Sequence, residues 1–317
     1  MTRDKPTVSI GLPVFNGENY LEEALNSILA QSYRDFELII SDNASTDRTQ
    51  QICRAYAAKD NRIRYYRNKI TVGASKNFNR VFELSTGKYF RWASHDDVVA
   101  PDLLSECVEI LDSNPSIVLC YSKTGQIDEH GKLVGSYTPN CRVYSEKPNE
   151  RFGDLISMRF PSWVIIFGLM RSSALKNTQL FGDYIGVDRN LLVELALVGR
   201  FYELSDYLFF RRAHDQAYTN KRFMSYHEQL DWWVKTSSRA RLYFPNWRIL
   251  REYVKSVKRI PLKWSERQLC YYQIFKWLVR EGWVFLCWDI GINVVEHSKY
   301  KKWLAPLKKY FIQHGGL

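Results

Sequence analysis

The apolar positions of the chain fall into short runs that alternate with segments of helical period. VSIGLPVF (8–15) is apolar at nearly every position, as in a strand buried on both faces, and stops at Asn16-Gly17, a turn signal. Behind it Leu21, Leu25, Ile28 and Leu29 recur at helical spacing, with acids near the start. FELIISD (36–42) predicts a second strand and STDRTQQICRAYAAKD (45–60) a second helix, with Ser45 as its N-cap and Asp47 in its first turn. RIRYY (62–66) predicts a short third strand. A loop with Gly73 then leads into a helix over SKNFNRVFELS (75–85) and a fourth strand over KYFRWAS (88–94). A proline-led helix, PDLLSECVEILDSNP (101–115), precedes a fifth strand, IVLCYS (117–122).

Strands alternating with helices predict an α/β fold, a mostly parallel sheet with helices on both faces. After Ser122 the pattern loosens. The segments there predict a hairpin around Glu129-His130-Gly131, an apolar strand in SWVIIFGLMR (162–171), a helix in VDRNLLVELALVG (187–199) and a strand pair in RFYELSDYLFFRRAH (200–214). These pieces are too short for a second domain and are expected to complete the first sheet, giving one unit over residues 1–220.

Charge divides the chain at the same place. Of 45 Lys and Arg and 34 Asp and Glu, 19 and 7 respectively lie after residue 220, so the whole net charge of +11 belongs to 221–317. Eight of the ten tryptophans lie there too. No run reaches the length of a membrane-spanning helix, and the N-terminus lacks the layout of a signal peptide. The six cysteines, Cys53, Cys107, Cys120, Cys141, Cys270 and Cys287, form no CxxC pair and read as reduced thiols of a cytoplasmic protein.

Ligands of such sheets bind at the carboxyl ends of the strands. Polar clusters fall there: Asn16-Gly17-Glu18, Asp42-Asn43 and Asp96-Asp97. No GxGxxG, GxxxxGK[ST] or HExxH motif is present, so the acids must carry the chemistry. For Asp96-Asp97 two readings stand: a helix cap beside a solvated acid, or a hard-cation site completed by ligand phosphates. Asp42 is either a turn residue or an acceptor for a base or ribose.

VSIGLPVFNGENYLEEALNSILAQSY, FELIISDNASTDRT, VGASKNFN and GKYFRWASHDD followed by PDLL resemble, in order and spacing, the N-terminal half of a family 2 glycosyltransferase of GT-A fold. The likeness is dense as far as PDLL and looser as far as His214. It implies inverting transfer of a sugar from a nucleotide-diphosphate donor to a hydroxyl acceptor, with Mg or Mn as cofactor. Carried over residue by residue, it implies that Pro13, Phe15 and Asn16 lie against the nucleotide and that Asp42 contacts the base. Gly73, Lys76 and Asn77 would line the donor site, and Asp96 and Asp97 would hold ribose and metal. Asp188 would be the general base, and His214, with Arg211 or Arg212, would lie near metal and diphosphate. The chain departs from the family pattern at three places. Asn43 replaces a second acid, Ser94-His95-Asp96 replaces Asp-x-Asp, and Val187-Asp188 replaces Glu-Asp. On the residues alone, a nucleotidyltransferase and a non-catalytic nucleotide-sugar-binding protein of the same fold are the other readings.

Region 221–317 predicts several helices. One carries a stripe of Tyr271, Ile274, Phe275 and Leu278, and the final YKKWLAPLKKYFIQ (300–313) sets aromatics and leucines among lysines. Such segments suit an anionic membrane surface, a packing face on the first unit or on a second copy, or, with no motif in support, nucleic acid. The expected setting is cytoplasmic, peripheral at the inner face of the membrane, with a glycan or lipid-linked acceptor in cell-surface polysaccharide assembly. No nucleic-acid partner is expected.

Overall fold

A computed structural model describes residues 5–137, 143–157, 163–215, 226–235 and 243–297. β1 (Val8–Val14) and β2 (Phe36–Asp42) are buried along their whole length, which explains why neither shows polar alternation. α1 (Leu21–Leu29), α2 (Thr49–Lys59), β3 (Ile63–Arg67), α3 (Ala74–Glu83) and β4 (Tyr89–Trp92) follow in the predicted order. β1 pairs in parallel with β2 and β4, and β2 with β3. Gly11 lets α3 lie close on this sheet, since a Cβ there would come within 2.6 Å of Val81.

The second half adds β5 (Val98–Val99), α4 (Leu103–Ser113), β6 (Ile117–Ile127), β7 (Leu133–Tyr137), α5 (Pro148–Ile156), β8 (Leu169–Arg171), α6 (Ser172–Leu175), α7 (Val187–Val198) and β9 (Arg200–Arg212). The strand order is β3-β2-β1-β4-β8-β6-β9-β5, with β7 paired to β6 in the predicted hairpin. Only β5, β7 and β8 run against the others, so the sheet is mostly parallel. Two apolar clusters cover its faces. One is built on α1, α2 and α4, the other on α3, α5 and α7.

Three local expectations are corrected. SWVIIFGLMR is not one strand: Trp163–Phe167 is a 3-10 turn and only Leu169–Arg171 joins the sheet. Val164, Ile165 and Ile166 are all buried, and an apolar run enclosed on every side carries no period by which strand and turn differ. Residues 200–212 form one strand rather than a pair. Ser205-Asp206 form a bulge between the Ser122–Leu204 and Lys123–Tyr207 pairings. Ser45 does not cap α2, because its hydroxyl accepts the Asn16 N–H at 2.9 Å instead.

α8 (Tyr226–Val234), α9 (Pro245–Arg259), α10 (Trp264–Trp277), a π turn (Leu278–Gly282) and α11 (Trp283–His297) form the helical C-terminal region. α9 and α10 close over α7 and α5, sharing one apolar cluster with Trp92 and Phe152. The buried side chains of α10 are Cys270, Ile274 and Trp277; of the predicted stripe, Ile274 is buried, Tyr271 and Leu278 pack partly against the same cluster, and Phe275 faces outward. The N-terminus of α9 is capped from α11. Asp289 accepts the Asn246 N–H at 2.7 Å and the Trp247 N–H at 3.2 Å, and burial pushes its carboxyl up to about 6. No described helix is long and apolar enough to cross a membrane. The terminal segment YKKWLAPLKKYFIQ and Cys141 lie outside the described residues.

Trp277 is 3% exposed and meets Tyr253 edge-on with ring centroids 5.8 Å apart. Trp277→Ala should cost about 3–5 kcal/mol. Because α10 is part of the common core, urea unfolding should show the loss in one transition common to the sheet and the helices.

Candidate active site

The carboxyl edge of the sheet is built by loops that bond to one another. β1 ends in Phe15, 45% exposed, and Asn16, whose φ of +50° lies in the left-handed region that asparagine tolerates. The Asn16 Oδ1 accepts the Thr46 N–H at 2.9 Å, Gly17 N–H donates to Thr49 Oγ1 at 2.8 Å, and Glu18 N–H to Asp47 Oδ2 at 3.0 Å. Glu18 answers by accepting the Arg48 N–H at 3.0 Å. The β1 and β2 loops are thereby one rigid lip, and Gly17 rests against the His95 ring, where a Cβ would lie 2.7 Å from Cδ2.

Asp42 sits at the end of β2, fully buried. Its carboxylate accepts the Ser45 N–H and the Tyr65 hydroxyl, each at 2.8 Å, and pairs with Arg67 Nε at 3.2 Å. Three partners occupy most of its acceptor capacity. The group left at the mouth is Arg67, 34% exposed, at the end of β3. Neither Tyr65 nor Arg67 was singled out from the sequence, although the end of a third parallel strand is a position at which to look. Pro13 is buried within β1.

The residues expected to line the donor side separate. Asn77 is buried with its amide committed to β2: Oδ1 accepts Ser41 Oγ–H at 2.7 Å, and Nδ2 donates to Ser41 O at 2.8 Å. Lys76, one residue earlier, is exposed. Gly73, at φ +83°, starts α3 directly beneath α8. A Cβ there would lie 2.7 Å from Trp233 O.

The acid pair lies beyond β4. Asp96 Oδ1 accepts the Ser94 hydroxyl and Oδ2 meets His214 Nε2 at 3.0 Å, with the imidazole packed on Tyr20 at 4.7 Å between centroids. Asp97 Oδ1 accepts the Arg212 N–H at 2.9 Å. It does not cap the following helix, whose N-cap position is Asp102. The pair is held there by β5, which pairs Val98 and Val99 with Phe210 and Phe209 of β9. Arg212, buried, turns its guanidinium away from the mouth. It bonds to the carbonyls of Asp96, Asp128 and Glu129 and to Glu23, so its role is to build the site rather than to meet a ligand.

The two carboxyls titrate in opposite directions. Burial would raise Asp96, but His95, the His214 bond and the Ser94 hydroxyl together hold it well below the usual carboxylate range. Burial, then the Asp96 charge beside it, push Asp97 well above that range. A divalent cation would relieve this repulsion. Two carboxylates with one imidazole at a polar mouth are a donor set that suits Mg or Mn. Among the described residues, no three His, Cys, Asp or Glu side chains already converge as a cage. Asp188 stands in the first turn of α7, accepting the Arg189 N–H at 2.9 Å, and burial raises its carboxyl. α7 ends at Val198 and β9 begins at Arg200, beside β6. Asp188 shares no hydrogen bond with Asp96 or Asp97.

The family described as Glycosyl transferase family 2 matches residues 9–175. The chain belongs to that family. Curated relatives from three Rickettsia species, described as uncharacterized glycosyltransferases, are 30–36% identical, and the chain spans 21–66% of their lengths. Chondroitin synthase of Escherichia coli is 27% identical over 68% of this chain and 30% of its own. Among solved structures, S. aureus TarS 1–349 with UDP aligns over 93% of this chain and 76% of its own, at TM-score 0.62 and 16% identity. The mannosyltransferase PcManGT from Pyrobaculum calidifontis, with GDP-Man and Mn2+, aligns over 99% of this chain and 82% of its own, at TM-score 0.56 and 13% identity. The fold of this family member is therefore GT-A, as the sequence resemblance implied.

A carboxyl that holds its proton more tightly in the folded state costs stability as pH rises above the unfolded value, near 3.8 for Asp97. Asp97→Asn removes that cost and keeps the acceptor for Arg212 N–H. In chelator at pH 7 the variant should melt about 2–4 °C above wild type by calorimetry, an advantage that shrinks as the pH is lowered towards 4. A lower melting point would show that the ionised pair is stabilising.

Proposed function

We propose that this glycosyltransferase moves a sugar from a nucleotide-diphosphate sugar to a hydroxyl acceptor with inversion, Asp188 acting as general base. The observation that carries the reading is the division of labour among three buried or half-buried carboxyls. Asp96 is held ionised, while Asp97 and Asp188 are raised. Asp188 takes the proton from the acceptor hydroxyl, whose oxygen attacks the anomeric carbon. The bond from that carbon to the diphosphate oxygen breaks, and the nucleoside diphosphate leaves with the electron pair. Asp97, Asp96 and His214 would hold the divalent cation, which supplies charge neutralisation to the departing diphosphate. The exposed Phe15 ring, Asn16 and Arg67 suit the nucleotide, with Asp42 acting through the Arg67 and loop geometry it maintains. Lys76 and the Gly73 turn border the same side.

UDP, UDP-GlcNAc and GDP-Man in complexes of structural neighbours support a nucleotide-sugar donor, and the Mn2+ of one supports the metal. The likeness to chondroitin synthase supports a polysaccharide product. For residues 221–317 we propose a second functional unit, peripheral at the inner membrane face near a lipid-linked acceptor. Its cationic charge supports this.

Asp188→Asn should lower turnover about 10²- to 10⁴-fold while leaving donor affinity unchanged. The base must be ionised, so wild-type kcat should fall as pH drops through a value above the ordinary aspartate range. Equal loss of turnover and donor binding would remove Asp188 from the role.

Calorimetric titration of UDP, dTDP, GDP and CDP with and without Mn2+, repeated on Asp97→Asn, tests the donor site. One nucleotide should bind only with metal, and the variant should lose that dependence. Binding by none of them would overturn the transfer reaction proposed here.

A further inference from the structure

α10, the π turn and α11 continue as one helical rod, since the residues at both junctions keep right-handed helical angles. Its inner side chains, Cys270, Ile274, Trp277 and Leu286, are buried against the rest of the molecule. Its outer side is also apolar. Trp264, Leu269, Tyr272, Phe275, Val279 and Trp283 are between 46% and 75% exposed, and from Leu269 onward they follow one another at steps of three or four residues. That spacing lays them along one face. Five large apolar side chains in a continuous exposed line, with Trp264 exposed a further turn back, are far from the scattered pattern of an ordinary surface and mark a contact site.

Charge selects the occupant. Lys276 and Arg280 stand exposed within the line, between Phe275 and Trp283, whereas of the rod's acids Glu266 and Glu281 are half-buried and Asp289 is buried. A two-fold contact with a second copy would bring these cations towards their own equivalents across an apolar interface, from which lysine is ordinarily depleted. Anionic lipid phosphates pair with them instead, and tryptophan, tyrosine and lysine together suit the headgroup boundary. The sequence after the rod, residues 298–317, adds five lysines and no acid.

We propose that the outer face of this rod docks on an anionic membrane surface, with the aromatic rings at the headgroup boundary and Lys276 and Arg280 on lipid phosphates. This deepens the membrane reading of 221–317 given above and is independent of the transfer chemistry. It assigns the contact to a face that the rod turns away from the shared core.

The full chain is floated with phosphatidylcholine vesicles, with and without phosphatidylglycerol, beside Phe275→Glu/Trp283→Glu and Lys276→Glu/Arg280→Glu. All four positions are exposed, so circular dichroism should be unchanged; if the first pair misfolds, Phe275→Ser/Trp283→Ser takes its place. Wild type should float only with phosphatidylglycerol. Substitution of the aromatic pair should lower binding at least tenfold. Reversal of the cations should lower it about 30-fold or more at low salt, from about 1 kcal/mol per charge. Failure of wild type to float on either vesicle overturns the membrane reading itself. Flotation of wild type that neither pair reduces overturns this face. A wild-type dimer in size-exclusion chromatography, split by the aromatic pair, gives the face to a second copy. Nucleotide binding, measured on the same samples, reports separately on the donor site.

Discussion

The buried guanidinium of Arg212 is the point on which the site depends. Burying a permanently charged group of that size is costly unless its N–H donors find acceptors. Here the acceptors are Asp96 O, the hairpin carbonyls of Asp128 and Glu129, and Glu23 of α1, with the Tyr20 ring 4.8 Å away. The backbone N–H of the same residue holds Asp97. One residue thus ties the end of β9 to α1, to the β6–β7 hairpin and to both members of the acid pair. None of these can shift alone without stranding a buried charge.

The acid pair is the tension that this arrangement sustains. Two adjacent carboxyls under partial burial would protonate or separate if left to themselves. Ser94 and His214 keep Asp96 ionised, and β5 keeps Asp97 next to it, so Asp97 holds its proton more tightly. Where the family pattern has acids, Asn43 accepts from Asn68 Nδ2 and Val72 N–H, and Ser94 donates to Asp96.

The helical C-terminal region is structurally continuous with this arrangement. Gly186, at φ +79°, precedes α7 under Ile249 of α9, and Glu194 of α7 is bonded to Ser256 at 2.8 Å and paired with Arg259. α9 therefore braces the helix that carries Asp188, and the α8 backbone closes on the Gly73 turn. The difference in composition that separates 221–317 from the rest describes its outer surface, while its inner faces belong to the common core.

The sequence by itself determined the first four parallel strands, their helices and the positions of Asp42, Asp96 and Asp97 at strand ends; Asp188 came only from the family resemblance. A strand buried on both faces must be apolar throughout, and the first polar residue after it marks the sheet edge. These are local properties, readable in a few consecutive residues. The partners of those acids were decided only by the tertiary structure. Arg212 and Glu23 are 189 positions apart, and Asp42 is closed over by Tyr65 and Arg67 of another strand. Ser45 looked like a cap because its own neighbours suit one, yet the Asn16 amide, brought alongside by sheet pairing, took its hydroxyl. The 3-10 turn at 163–167 and the bulge at Ser205-Asp206 have the same origin. Enclosure and strand pairing, which depend on distant segments, chose among conformations that local pattern left equal.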